Sequence, residues 1–177
     1  MTINGSGQWV RNYQNGSNSA FHGATIYTSV TRTYDADNAN HVIDLDSTWG
    51  SDPYGYVVGD GTLKIPTGEE GIFLIVGSVQ ANTGDIAVTD AMMFFFSILT
   101  IPFVIGGQSV AGPLVGLGAG YSPRFASPVV APPSYLPAGT VINLNVNGDP
   151  DGFTPPAGDI TVSPGASITY LSVIRLT

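Results

Sequence analysis

The chain has 177 residues, no cysteine, and five Lys and Arg against thirteen Asp and Glu, for a net charge of −8. That length can bury a core without staples, the missing thiols exclude disulfides and thiolate metal sites, and the acidic balance argues against a nucleic-acid partner, which needs clustered cations to neutralise phosphates. Low charge with a positive mean hydropathy fits a protein whose apolar residues are hidden twice, in its own core and in an oligomer interface.

Residues 1–19 are rich in Asn, Gly, Ser and Gln, the composition of a flexible N-terminal arm. Trp9, Arg11 and Tyr13 are the anchor types such an arm would use to dock on a larger surface; plain terminal disorder is the alternative. No basic n-region or apolar h-region opens the sequence, so no signal peptide is expected. A β-sandwich or jelly-roll domain is expected over residues 20–177. Its predicted strands begin with residues 24–30 and 41–45, split by an Asp/Asn-rich turn at 35–40. Residues 47–56 form a loop holding Trp49, Tyr54 and Tyr56. Further strands are predicted at 63–65, 72–79, 85–88, 92–101, 129–130, 141–146, 160–162 and 168–176, with a turn at 66–71 and Gly, Pro, Asn or Asp in nearly every gap. Capped apolar runs of helical period are missing, so the predicted class is all-β and antiparallel.

Two stretches need separate weighing. Residues 91–105 (AMMFFFSILTIPFVI) are almost continuously apolar, yet shorter than the roughly 20 residues a bilayer requires and interrupted by Pro102. A strand buried on both faces gives the same pattern, so no membrane span is expected. Residues 106–133 are too rich in Gly and Pro for regular elements and too apolar for a solvated linker. They predict a long irregular loop, lying over one end of the sandwich or on a neighbouring subunit.

The order AFHGATIYTSV, HVIDLDSTWG, GTLKIPTGEEGIFLIVGSVQ, a central apolar strand, LPAGTVINLNV and SITYLSVIRL resembles the C1q/TNF-like jelly roll over residues 20–177. Two departures stand out: Phe73 replaces a Tyr after Gly71-Ile72, and Gly139-Thr140 replaces a Gly-Asp pair. The resemblance implies a homotrimer about a threefold axis, with Phe94, Phe96, Tyr170 and Leu171 as candidate axis residues. An intramolecular core role is the alternative for all four. Domains of this kind also occur in bacteriophage structural proteins, as trimers that decorate capsids or tip fibres.

Chemistry is sparse. Nucleophilic catalysis needs an activated nucleophile, usually beside His, and only His22 and His41 exist, with no G-x-S-x-G elbow. The acids sit mostly in Asp-Gly, Asp-Pro and Asp-Asn settings, where turn chemistry selects them. No enzyme is expected, and calcium is the one cofactor candidate: Asn147, Asp149 and Asp151 are spaced like the opening of an oxygen-rich loop, but Gly158 stands where its closing Glu belongs. The leading expectation is therefore a structural protein on the outer surface of a virion. It would be a capsid-decoration or head-fibre trimer held on the major capsid or another virion protein by its arm. The alternative is a module that recognises a host surface glycan or protein through Trp49, Tyr54 and Tyr56.

Overall fold

The structure is a computed structural model that describes residues 2–3, 9–10, 22–35, 39–59, 61–83, 92–98, 108–111, 124–147 and 159–177. All regular elements among them are strands: β1 (Thr2–Ile3), β2 (Trp9–Val10), β3 (Gly23–Tyr27), β4 (Arg32–Asp35), β5 (His41–Val42), β6 (Ser47–Thr48), β7 (Val57–Gly59) and β8 (Thr62–Lys64). They continue with β9 (Gly71–Thr83), β10 (Met92–Ile98), β11 (Gln108–Ala111), β12 (Arg124–Leu136), β13 (Val141–Asn147), β14 (Asp159–Val162) and β15 (Tyr170–Arg175). Among the described residues, no helix is long and apolar enough to cross a membrane.

Two antiparallel sheets form the body. One runs β11-β10-β13-β8-β7, with β5 also on β13; the other runs β4-β14-β9-β15-β3-β6, with β12 also on β9. A separate ladder pairs β1 with β2. The first long strand and the last, β3 and β15, lie side by side, and β8 pairs with β13 across a long stretch of chain. These non-local pairings are those of a jelly roll.

Alternation explains both layers. Along β9, Phe73, Ile75, Val79 and Ala81 are buried while Ile72, Leu74, Val76 and Ser78 point the other way. Ile142, Leu144 and Val146 of β13 meet them from the facing sheet, joined by Ile43, Leu63 and Ile65. Asn143, Asn145 and Asn147 occupy the opposite side of β13 and are also buried. Asn143 accepts a hydrogen bond from the Thr62 hydroxyl at 3.0 Å, and Asn145 donates to the Asn143 carbonyl at 3.4 Å.

The IPTGEEG and LPAGT phrases meet in space. Ile65 N donates to the Thr140 carbonyl and Gly139 N to the Ile65 carbonyl, each at 2.8 Å, so the two turns brace one another. Thr140, standing where a carboxylate was expected, caps the Pro137 carbonyl with its hydroxyl at 2.7 Å.

Residues 106–133 correct the loop reading, because β11 and most of β12 fall in that stretch, the strand expected at 129–130 being part of β12. Pairing of β12 runs along β9 from Arg124–Asn82 to Leu136–Gly71 and is broken by an irregularity between Ala131 and Ser134. Val129, Ala131 and Leu136 are buried, while Pro128, Pro132 and Pro133 are exposed. Among the described residues β12 pairs only with β9, a setting in which prolines, lacking an N–H, are tolerated. Residues 112–123 and 85–88 lie outside the described residues.

One glycine is required for space as well as conformation. Gly61 has φ +71°, and a Cβ there would run into the Ile43 carbonyl and the Leu45 backbone nitrogen. Gly50 has a similar φ of +82° with open space around it. Gly50→Ala is therefore expected to lose about 1–2 kcal/mol, the left-handed backbone alone, and Gly61→Ala clearly more. Urea unfolding of the two variants checks the order.

Candidate functional site

The residues of β9 that do not enter the core belong to a broad outward surface. Val76 lies between Val130 of β12 and Ser172 of β15, Leu74 is opposite Ile174, and Ile72 is opposite Tyr135. Tyr170 sits between Ser78 of β9 and Tyr27 of β3. Leu176 extends the row, its N–H donating to the Ile72 carbonyl at 2.7 Å. Val130 is 54% exposed, Tyr135 63% and Leu176 50%. The polar members Thr25 and Ser172 satisfy one another at 2.8 Å. Between Ile72 and Ser78 this outward row of β9, with its partners on β12, β15 and β3, holds no Asp, Glu, Lys or Arg, so a largely apolar sheet face meets solvent; Arg124, in register with Asn82, falls on the same parity only at the far end of β12.

The candidate axis residues divide. Tyr170 is on this face. Leu171 points into the core with no exposure, as strand alternation dictates for its neighbour, so it forms no part of the surface. Phe94 and Phe96 lie on β10, in the other sheet, paired with Val146 and Leu144; their side chains lie outside the described set. Sequence reading had missed Leu74, Val76, Val130 and Ile174. The signal was present in the outward parity of GIFLIVGSVQ, where apolar residues occupy both faces.

A second arrangement gathers at the end where β3 begins and β15 finishes. Oε2 of Glu69 accepts hydrogen bonds from His22 Nδ1 at 2.8 Å, the Tyr56 hydroxyl at 2.8 Å and Arg175 Nη1 at 3.3 Å. Because a carboxylate only accepts, Nδ1 must carry the hydrogen of the His22 ring. Burial raises the Glu69 carboxyl, but the His22 and Tyr56 hydrogen bonds and the charges of His22 and Arg175 outweigh it and hold the group below the usual carboxylate range. Burial and the same carboxylate push the Tyr56 phenol well above its ordinary value. The His22 ring stacks on Tyr54 at 4.2 Å, and Tyr54 meets Tyr56 edge-on at 6.5 Å.

This corrects the proposed aromatic platform. Tyr56 is fully buried with its hydroxyl on Glu69, so it offers nothing to a ligand; its ring packs edge-on against Phe73 at 6.2 Å. Tyr54 is half-buried on His22, while Trp49 is 62% exposed. The loop between them is braced by Asp52, whose two oxygens accept from Gly55 N at 3.0 Å and Val57 N at 2.7 Å. The neighbouring Glu70 serves the turn instead, its carboxylate accepting from Gly68 N at 3.0 Å.

Elsewhere, Asn147 is buried and donates through Nδ2 to Asn40 Oδ1 at 2.9 Å. Asp149 and Asp151 lie outside the described residues, among which no group of three His, Cys, Asp or Glu could hold a metal ion. Trp9 pairs with Ile3 in the β1–β2 ladder; Arg11 and Tyr13 are outside the described set. His41 is tilted against Tyr34 at 5.9 Å.

Neither protein-family models nor curated proteins give a match to this sequence. Solved structures do. The structure of Eiger TNF from S. frugiperda aligns with a TM-score of 0.52 at 12% identity, covering 89% of this chain and 93% of that one. Murine APRIL, crystallised at pH 8.5, aligns with a TM-score of 0.50 at 12% identity, over 87% and 99%. Identity this low speaks for architecture alone, and the architecture is plain: the chain has the TNF-like jelly-roll fold.

Proposed function

We propose that the chain is a non-enzymatic structural protein of a virion, assembled as a homotrimer and attached through its N-terminal arm, residues 1–19, to the major capsid protein or another virion protein. The observation that carries the assembly is the uncharged face built on Ile72, Leu74, Val76 and Val130. A face of that kind, left open on a monomer, invites indiscriminate association. Covering it with further copies of the chain removes it from water. The virion setting is supported by the sequence resemblance and by the arm's composition. With capsid contacts confined to three arms, avidity converts weak contacts into firm attachment.

A second reading, recognition of a host surface glycan or protein, is favoured by one observation: Trp49 stands out on a loop that Asp52 and the Tyr54–His22 stack hold in place. A rigid exposed indole is suited to stacking on a partner.

Light scattering on the purified protein is expected to give three times the 18.4 kDa chain mass. Val76→Lys, which places an ammonium at the centre of the face, is expected to give the monomer without unfolding it; a monomeric parent protein sinks the assembly reading. Removal of residues 1–19 is expected to abolish co-sedimentation with virus particles and to leave any glycan-array signal intact. Loss of glycan binding in Trp49→Ala would favour the second reading instead.

A further inference from the structure

The Glu69 cluster joins four separate segments through one atom. His22 leads into β3, Tyr56 precedes β7, Glu69 lies in the turn before β9, and Arg175 ends β15. All three donors converge on Oε2, and the Glu69 side chain is only 14% exposed. Backbone bonds follow the same seam: Arg175 N donates to the His22 carbonyl at 2.8 Å, and Leu176 N to the Ile72 carbonyl at 2.7 Å. Arg175 also binds the Glu70 carbonyl through Nη2 at 2.9 Å. Around Glu69 stand His22, Tyr54 and Tyr56, the cation of Arg175, and the carboxylates of Asp52 and Glu70; Glu69 alone touches His22, Tyr56 and Arg175 together.

We propose that Glu69 is an acid-sensitive latch: its carboxylate fastens the start of β3 and the end of β15 to the loop before β7, and proton uptake opens that seam. The neutral acid has a hydrogen of its own to place and lacks the charge that held Arg175 and drew three donors to one oxygen. Tyr56, fully buried, would keep its hydroxyl facing a weakened acceptor. The folded carboxyl lies below its ordinary value. The latch is therefore fully closed above the usual Glu range and lost as pH falls through the folded value. The switch is placed on the carboxyl because all three donors converge on its Oε2. The proposal concerns one end of the sandwich and stands whether or not the chain is a trimer.

Amide hydrogen exchange tests it, with protection expressed relative to intrinsic exchange so that the chemical effect of pH cancels. Protection at Arg175 and Leu176 is expected to hold between about pH 8 and 6 and to fall by about tenfold or more toward pH 3 and below, while Val76 in mid-β9 stays protected. Glu69→Gln is expected to lose that protection already at neutral pH and to show no further acid step. Tyr56→Phe keeps the buried ring and removes one donor, so its acid step moves to higher pH; it serves as the test if Glu69→Gln does not fold. An acid step in Glu69→Gln like that of the parent, an unmoved step in Tyr56→Phe, or loss at Val76 together with the seam overturns the proposal.

Discussion

The strand from Gly71 to Thr83 must satisfy two apolar faces at once, and most of the architecture follows from that demand. One face, through Phe73, Ile75 and Val79, enters the core against Leu144 and its neighbours. Each such side chain contributes about 1.5–3 kcal/mol by leaving water. The other face carries Ile72, Leu74 and Val76 outward, flanked in register by β12 and β15. Among the described residues nothing covers it. The strand can be thirteen residues long because partners run along both sides, β12 on one and β15 followed by β14 on the other.

Charge is arranged so as not to interfere with that face. Arg32 is tied to Asp44 at 2.7 Å and Asp46 at 2.8 Å beside the β4 edge, and Arg175 is tied to Glu69 at the far end of β15. Surface pairs of this kind add little stability. Their consequence is positional: the ions sit at edges and strand ends, and the middle of the face, from Ile72 to Ser78 of β9 with its partners, carries only neutral groups.

Much of this was legible in the sequence. The IPTGEEG and LPAGT phrases announced strand starts correctly because Gly68 and Gly139 occupy left-handed turns, a local requirement that a local pattern reveals. The fold class was legible for the same reason, since alternation and turn residues act over a few positions. Side-chain destiny was less so. Tyr56 reads as a surface aromatic in a Gly-rich loop, and only the distant Glu69 shows why its hydroxyl can be buried. Leu171 and Tyr170 are equally apolar neighbours, and nothing in SITYLSVIRL tells which parity faces the core until β3 and β9 fix the register. β12 was legible only at Val129–Val130, because three prolines normally signal a loop; their tolerance depends on a strand that pairs on one side.

The same distinction orders the two functional ideas. The apolar face is a property of parity, spread over many side chains, so a single conservative change should leave it intact while one buried charge at Val76 reverses its character. The Glu69 seam is the opposite: one oxygen serves three donors from three other segments, and its contribution disappears with one proton. A net charge of −8 adds repulsion between copies at any distance within the Debye length of about 8 Å at physiological ionic strength. The proposed association would therefore rest on the apolar sheet face rather than on electrostatic attraction. That is why the scarcity of Lys and Arg, odd for a monomer that needs a solvated surface, is physically coherent with the proposed assembly, in which copies of the chain cover one another's apolar face.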